Sequence, residues 1–404
     1  MAGGGRAAAS AGPSRLPLRL AAFYIGVFSV VGVLMPFWPV WLKGRGLDPA
    51  QIGIVLAAGV WAKVLMNPVV ARLSDRRGET RRPLILLALA ALACYGAFAL
   101  ADGFWPLLAL NFLGGMLLSA MMPLADGLAV SLAAVRRLDY GRIRLWGSLS
   151  FILAATASGW FLTGRASGAI LALVLVGLVL TLCGCLAMPD WRRPVHATGG
   201  ILGILGDRRF LLFVATVSLI QSSHTLLYGF GTLHWQGASH AKETIGWLWS
   251  ESVLAEVVVF ALGANLLRRI GGARLLILGG VAACLRWVAT GLSTDLAVLV
   301  AVQLLHGLTF GAVHLAAMDF LSRATPPALS ATAQSVYASV AFGIAPGLTM
   351  LCAGRLYEAM AGHGFFVMAG LAIAGVAAAI ALSTRWPARA AALSSGGEGD
   401  VPSR

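Results

Sequence analysis

Twelve stretches of this 404-residue chain are apolar over the length of a bilayer crossing, and no other feature limits its fold so strongly. A helix needs about 20 apolar residues to traverse the hydrocarbon core. The runs lie at 18–42, 51–71, 83–101, 105–132, 143–163, 168–188, 210–234, 244–267, 274–293, 296–320, 330–354 and 364–386. Charged residues make up 11% of the chain, against about 25% in a soluble domain. The expected fold class is therefore an all-α membrane protein with twelve transmembrane helices.

The formal net charge of +14 would suggest nucleic acid in a soluble protein, but here its placement matters more than its sum. With the N-terminus inside, Arg15, Arg19, Arg81, Arg82, Arg136, Arg137, Arg142, Arg144, Arg208, Arg209, Arg268, Arg269 and Arg323 gather on one side. Only Lys43, Arg45, Arg165, Lys242 and Arg355 lie on the other. The positive-inside rule then puts both termini in the cytoplasm, with an even number of spans. Residues 1–17 and 388–404 are rich in Gly, Ala and Ser and read as disordered cytoplasmic tails. The polar stretch 189–209 reads as a cytoplasmic linker between two halves, 18–188 and 210–387. The first apolar run ends in Pro39-Val40-Trp41-Leu42 and not in a small-residue cleavage site, so it reads as a span, not a signal peptide. The five cysteines have no metal-type spacing and read as packing residues. No nucleotide-binding loop, catalytic triad or H-E-x-x-H appears, which points to a non-enzymatic protein without a metal or organic cofactor.

An ionisable group at bilayer depth costs roughly 2.5–3.5 kcal/mol on insertion scales, so it faces a cavity or a partner. Glu256, Arg286 and His306 lie at such depth on the eighth, ninth and tenth spans, with His314 eight residues after His306. Three such groups on successive spans read as a transport site. Lys63 on the second span and Asp126 on the fourth read either as an ion pair or, for Lys63, as a substrate ligand. Gln221, His224 and Tyr228 share one helical face of the seventh span, as a cavity lining or as a packing seam. Glu251 sits near the outer end of the eighth span, where it can reach water.

Between the second and third spans, Ala71-Arg72-Leu73-Ser74-Asp75-Arg76-Arg77-Gly78-Glu79-Thr80-Arg81 resembles the G-x-L-x-D-R-x-G-R-x-R signature of the major facilitator superfamily, departing at Ala71 and Glu79. The resemblance implies two six-helix bundles, with Asp75, Arg76 and Gly78 as a conformational latch. Further blocks resemble the 3-phenylpropionate permease family within it, a branch allied to galactoside/proton and nucleoside/proton symporters. They are Leu34 to Gly44, Leu138 to Ser148, Gly246-Trp247-Leu248-Trp249-Ser250 with Ala255-Glu256-Val257, Leu285-Arg286-Trp287, and His306 through His314 to Met318. The implied function is proton-coupled uptake of an aromatic carboxylate across a bacterial inner membrane. Glu256, His306 and His314 would then serve proton coupling, and Arg286, Lys63, His224, Gln221 and Tyr228 substrate binding.

The galactoside symporters place a Glu after the tenth-span His; here that acid is missing, which makes Glu256 the leading proton carrier. Arg286 is expected to pair with Glu256 until a substrate carboxylate displaces it. The expected partners are a small-molecule substrate and the lipid bilayer, with a monomeric chain. Sugar or nucleoside symport stays open, as do export, a non-transporting sensor and a haem protein using His224, His306 and His314. Asn and Gln are few within the spans while Trp and Phe are plentiful, which favours the aromatic acid.

Overall fold

The computed structural model describes residues 15–77, 79–190, 206–326 and 329–387, the side chains of 67–77 and of 331 excepted. These residues are almost entirely helical, and eleven segments are long and apolar enough to cross a membrane. The last of them, Thr332–Ser383, has 52 residues. At 1.5 Å per residue that is far longer than one crossing. It breaks at Ala361–His363 into one helix ending at Met360 and another over Gly364–Ser383, which gives the twelve crossings expected from the sequence.

Four of the helices begin at an aspartate cap in the preceding loop. Asp48 precedes the second span, Pro49–Arg77, and forms a reciprocal cap with Gln51: the Gln51 N–H donates to Asp48 Oδ1 at 2.7 Å, and the Asp48 N–H to Gln51 Oε1 at 3.2 Å. Asp139, Asp207 and Asp295 cap the helices Tyr140–Leu162, Arg208–Ser222 and Leu296–Leu304. Each side-chain oxygen accepts a backbone N–H that has no intrahelical partner.

Within the first half, the first span (Leu16–Gly44) packs on the fifth and sixth, and the second packs on the fourth. In the second half the ninth span (Gly272–Leu292) packs on the tenth and twelfth, and the eighth (Lys242–Ala261) on the tenth. Between the halves, the fifth span meets the eighth and the second meets the eleventh. Each such pair joins the second member of one half to the fifth of the other, so the two bundles face each other about a pseudo-twofold axis.

Glycines allow close approaches in both pairs on the face away from the termini. A methyl on Gly159 or on Gly246 would lie 3.1 Å from the other's Cα, and one on Gly53 would lie 3.0 Å from Gly354 N. Nearby, Lys242 Nζ donates to the carbonyls of Leu162 and Arg165, at 3.1 and 2.7 Å.

Besides the eighth span, which breaks at Leu262 between Lys242–Ala261 and Gly263–Arg269, three spans depart from a regular α-helix. The seventh is Arg208–Ser222 and Thr225–Gly237 with a break at Ser223 and His224, the tenth carries a π-helical turn at Gly307–Ala312, and the eleventh one at Val340–Ile344. The expected latch lies at the edge of what is described: Asp75 and Arg76 belong to the second helix with undescribed side chains, and Gly78 falls outside the described residues. The same is true of the tails 1–14 and 388–404 and of 191–205 in the expected linker.

Candidate functional site

Two cavities lie between the bundles at mid-depth, of 390 and 580 Å³. Val31, Met35, Tyr228 and Phe310 line both, so they are two lobes of one central space. The smaller lobe gathers Glu256, Arg286, His306 and His314 from the eighth, ninth and tenth spans. The π-helical turn between His306 and His314 changes their relative direction from that of a regular helix, and both reach the cavity wall.

Arg286 is fully buried, and its guanidinium is held by neutral acceptors. Nη1 donates to His306 Nδ1 at 2.9 Å and to Thr309 Oγ1 at 3.1 Å, and Nη2 donates to Gln303 Oε1 at 2.7 Å. Its Nε has no partner among the described residues, and its plane lies 4.8 Å from the Trp287 ring. Gln303 is fixed in turn, because its Nε2 donates to Ser252 Oγ at 2.7 Å and to the Leu248 carbonyl at 3.2 Å.

These contacts assign the histidine tautomers. Arg286 can only donate, so His306 Nδ1 must accept, and in the neutral ring the proton then sits on Nε2. That Nε2 lies 3.7 Å from Glu256 Oε2. Thr309 accepts from Arg286, which leaves its own hydroxyl proton for His224 Nε2 at 2.9 Å. His224 Nδ1–H then faces the carbonyls of Ile220 and Gln221, at 3.2 and 3.3 Å. One line of hydrogen bonds thus runs from the ninth span through the tenth to the break in the seventh.

The expected direct pair of Arg286 with Glu256 is replaced by Arg286–His306–Glu256, because the imidazole stands between the two charges. The expected Lys63–Asp126 pair is also absent among the described residues. Asp126 Oδ1 accepts from Tyr24 at 2.7 Å and from Tyr140 at 2.9 Å, and Arg144 Nε stands 3.9 Å away. Asp126 lies nearer the terminal face than Lys63, at the depth where Arg144 opens the fifth span. Lys63 lines the larger lobe with Gln221 and Tyr228, whereas His224 is buried behind the wall. Glu251, expected to reach water, is buried at 7% exposure, and its Oε2 has no partner among the described residues.

Arg144, read from the sequence only as a topology-setting charge, is a cavity residue. Its guanidinium lies 4.2 Å from the Phe28 ring, and Gly147, one turn on, leaves room for it. Gln303 and Thr309 were equally silent. Their one signal is spacing, since both lie three residues from His306.

The sequence model of the MFS_1 like family matches residues 17–368. The chain belongs to that family. It is 36% identical to the "Probable 3-phenylpropionic acid transporter" of Escherichia coli (strain K12), over 88% of this chain and 94% of the relative. It is 29% identical to the maltose permease of Geobacillus stearothermophilus, over 83% and 86%. Among solved structures it resembles the nucleoside transporter NupG, with a TM-score of 0.78 at 18% identity, covering 91% of this chain and 99% of that one. A bacterial homologue of the human lysosomal transporter Spinster matches with a TM-score of 0.74 at 15% identity, over 93% and 98%. The fold is that of the major facilitator superfamily, and the chain is a multi-pass membrane transporter, not an enzyme.

Proposed function

We propose that this transporter is a proton-coupled symporter that brings a small organic acid, most simply an aryl carboxylate, into a bacterial cell across the inner membrane. The basic face holding both termini is then cytoplasmic, and the driving ion is the proton, with no further cofactor. The observation that carries the reading is the chain Glu256–His306–Arg286 in the wall of the central cavity.

Ionised Glu256 interacts with the Nε2–H of His306, whose other nitrogen is held by the Arg286 cation. Protonation of Glu256 removes its negative charge and weakens that hold. The cavity wall on the eighth span is then free to change its relation to the ninth and tenth, and the population of the reoriented state rises. A substrate that crosses in this protonated state moves together with the proton, which couples the gradient to the solute. The 36% identity to a transporter named for 3-phenylpropionic acid supports the substrate class. So does a larger lobe whose wall is mainly apolar and aromatic.

The test is uptake of labelled 3-phenylpropionate into proteoliposomes under an imposed pH gradient, acid outside. Glu256→Gln is expected to lose accumulation against the gradient while exchange of labelled for unlabelled substrate continues. Uphill accumulation at the parent rate in that variant would remove Glu256 from the mechanism.

A further inference from the structure

The larger lobe carries a pattern of donors that nothing in its own wall satisfies. Lys63 is exposed, and what it is exposed to is this lobe; it makes no ion pair or hydrogen bond among the described residues. Across the bundle boundary Gln221 Nε2 and Thr225 Oγ1 are buried in the same wall, also without a partner among the described residues. The described wall contains no aspartate or glutamate. An ammonium in apolar surroundings without a counter-ion is costly, and so is a buried donor without an acceptor. One group meets all three needs: a carboxylate, which has two oxygens and about four acceptor positions and brings the missing negative charge.

Arg286 is poorly placed for that task. It is fully buried, and three of its five N–H groups are given to His306, Thr309 and Gln303, so its hydrogen bonds are mostly spent inside the second bundle, with Nε left without a partner among the described residues. The remaining wall of the larger lobe is mainly apolar and aromatic, with Trp38, Tyr95 and Phe342 among its residues beside the polar Asn111 and Ser119. Trp38 has no free donor, because its Nε1–H is given to Asn111 Oδ1 at 2.9 Å, and Asn111 Nδ2 donates to the Val55 carbonyl at 2.7 Å. These polar groups hold the wall together, and the Trp38 ring is left for packing. A volume of 580 Å³ falls within the range of small-ligand sites.

We infer that this lobe is the substrate's own subsite: Lys63, with Gln221 and Thr225 opposite, anchors the carboxylate of an aryl monocarboxylic acid whose ring packs against Trp38, Tyr95 and Phe342. The inference rests on the transporter reading above and moves the anion anchor from Arg286 to Lys63. Because Lys63 belongs to the first bundle and Gln221 and Thr225 to the second, the bound carboxylate ties the two halves together. The shared wall at Tyr228 and Phe310 places it beside the proton lobe without direct contact to Arg286.

Equilibrium binding to the purified full-length chain, with no gradient present, tests this by comparing 3-phenylpropionate with its uncharged amide. The parent is expected to prefer the acid, and Lys63→Gln to lose about 10–100-fold in affinity for the acid with the amide unchanged. The amide thereby reports an intact cavity. If Lys63→Gln loses both ligands, Lys63→Arg decides: retained preference for the acid supports the anchor, and lost preference overturns it. A parent that binds no acid or does not distinguish it from the amide, or a Lys63→Gln protein within twofold of the parent for the acid, also overturns it. Failure of proton coupling shows separately, as unimpaired uphill uptake by Glu256→Gln.

Discussion

Arg286 is the residue around which the second bundle's polar groups are arranged, and its partners are all neutral among the described residues. A guanidinium cannot shed its charge to escape a dry site, so each acceptor around it matters. Gln303 is the shortest of these contacts at 2.7 Å and also bridges to the eighth span through Ser252 and Leu248. Gln303→Leu leaves Nη2 of a buried cation without an acceptor, which costs about 1–3 kcal/mol. The expected outcome is a lowered thermal unfolding temperature of the detergent-solubilised protein. Reduced uphill transport accompanies it, because Arg286 then no longer holds His306 in place. A Gln303→Leu protein as stable as the parent would mean that Arg286 finds another acceptor.

Two local features of the elements shape the site, and they have different causes. The caps are written in the sequence: Asp295 begins the tenth span, and its side chain accepts the N–H groups of Ala297 and Val298 at 2.9 and 3.4 Å. Asp295→Ala is expected to cost about 0.5–2 kcal/mol of stability. Transport rates should be unchanged, since the cap lies at the membrane surface far from the cavity, and thermal unfolding together with uptake checks both halves of this. The π-helical turn at Gly307–Ala312 is not written in any periodic pattern. Glycines at 307 and 311 face Ala255 and Val259 of the eighth span at contact distance. The turn between them sends His306 toward Glu256 and Arg286, with His314 lower in the same wall near Tyr337. A strict 3.6-residue period describes neither direction.

For the molecule as a whole, the glycine-to-glycine approaches between the bundles lie on the face away from the termini, where Gly159 meets Gly246 and Gly53 meets Gly354. Alternating access requires these approaches to form and separate as the bundles rock. A leucine at either partner has no room for its side chain while the seal is closed. Gly246→Leu is therefore expected to hold the distal side apart, keeping equilibrium binding of substrate while abolishing both uphill uptake and exchange in proteoliposomes. Uptake at the parent rate in Gly246→Leu would show that the fifth and eighth spans need not close at this point.

What the sequence determined by itself was the membrane architecture: twelve crossings, the basic face and the family motifs. Each is a local property, since about 20 apolar residues in a row or a cluster of arginines in a short loop has the same meaning whatever surrounds it. It also marked Glu256, Arg286, His306, His314 and Lys63, because charge at bilayer depth needs an explanation wherever it occurs. Only the tertiary structure decided who meets whom. Asp126 is met by Tyr24, Tyr140 and Arg144 and not by Lys63; His306 stands between Arg286 and Glu256; Glu251 is buried; Arg144 lines the cavity. These partners come from different helices, brought together by the rotation of each helix about its own axis, by a break at Ser223–His224 and by π-helical turns. Such rotations are set by packing against neighbouring helices, so no window along one helix contains them.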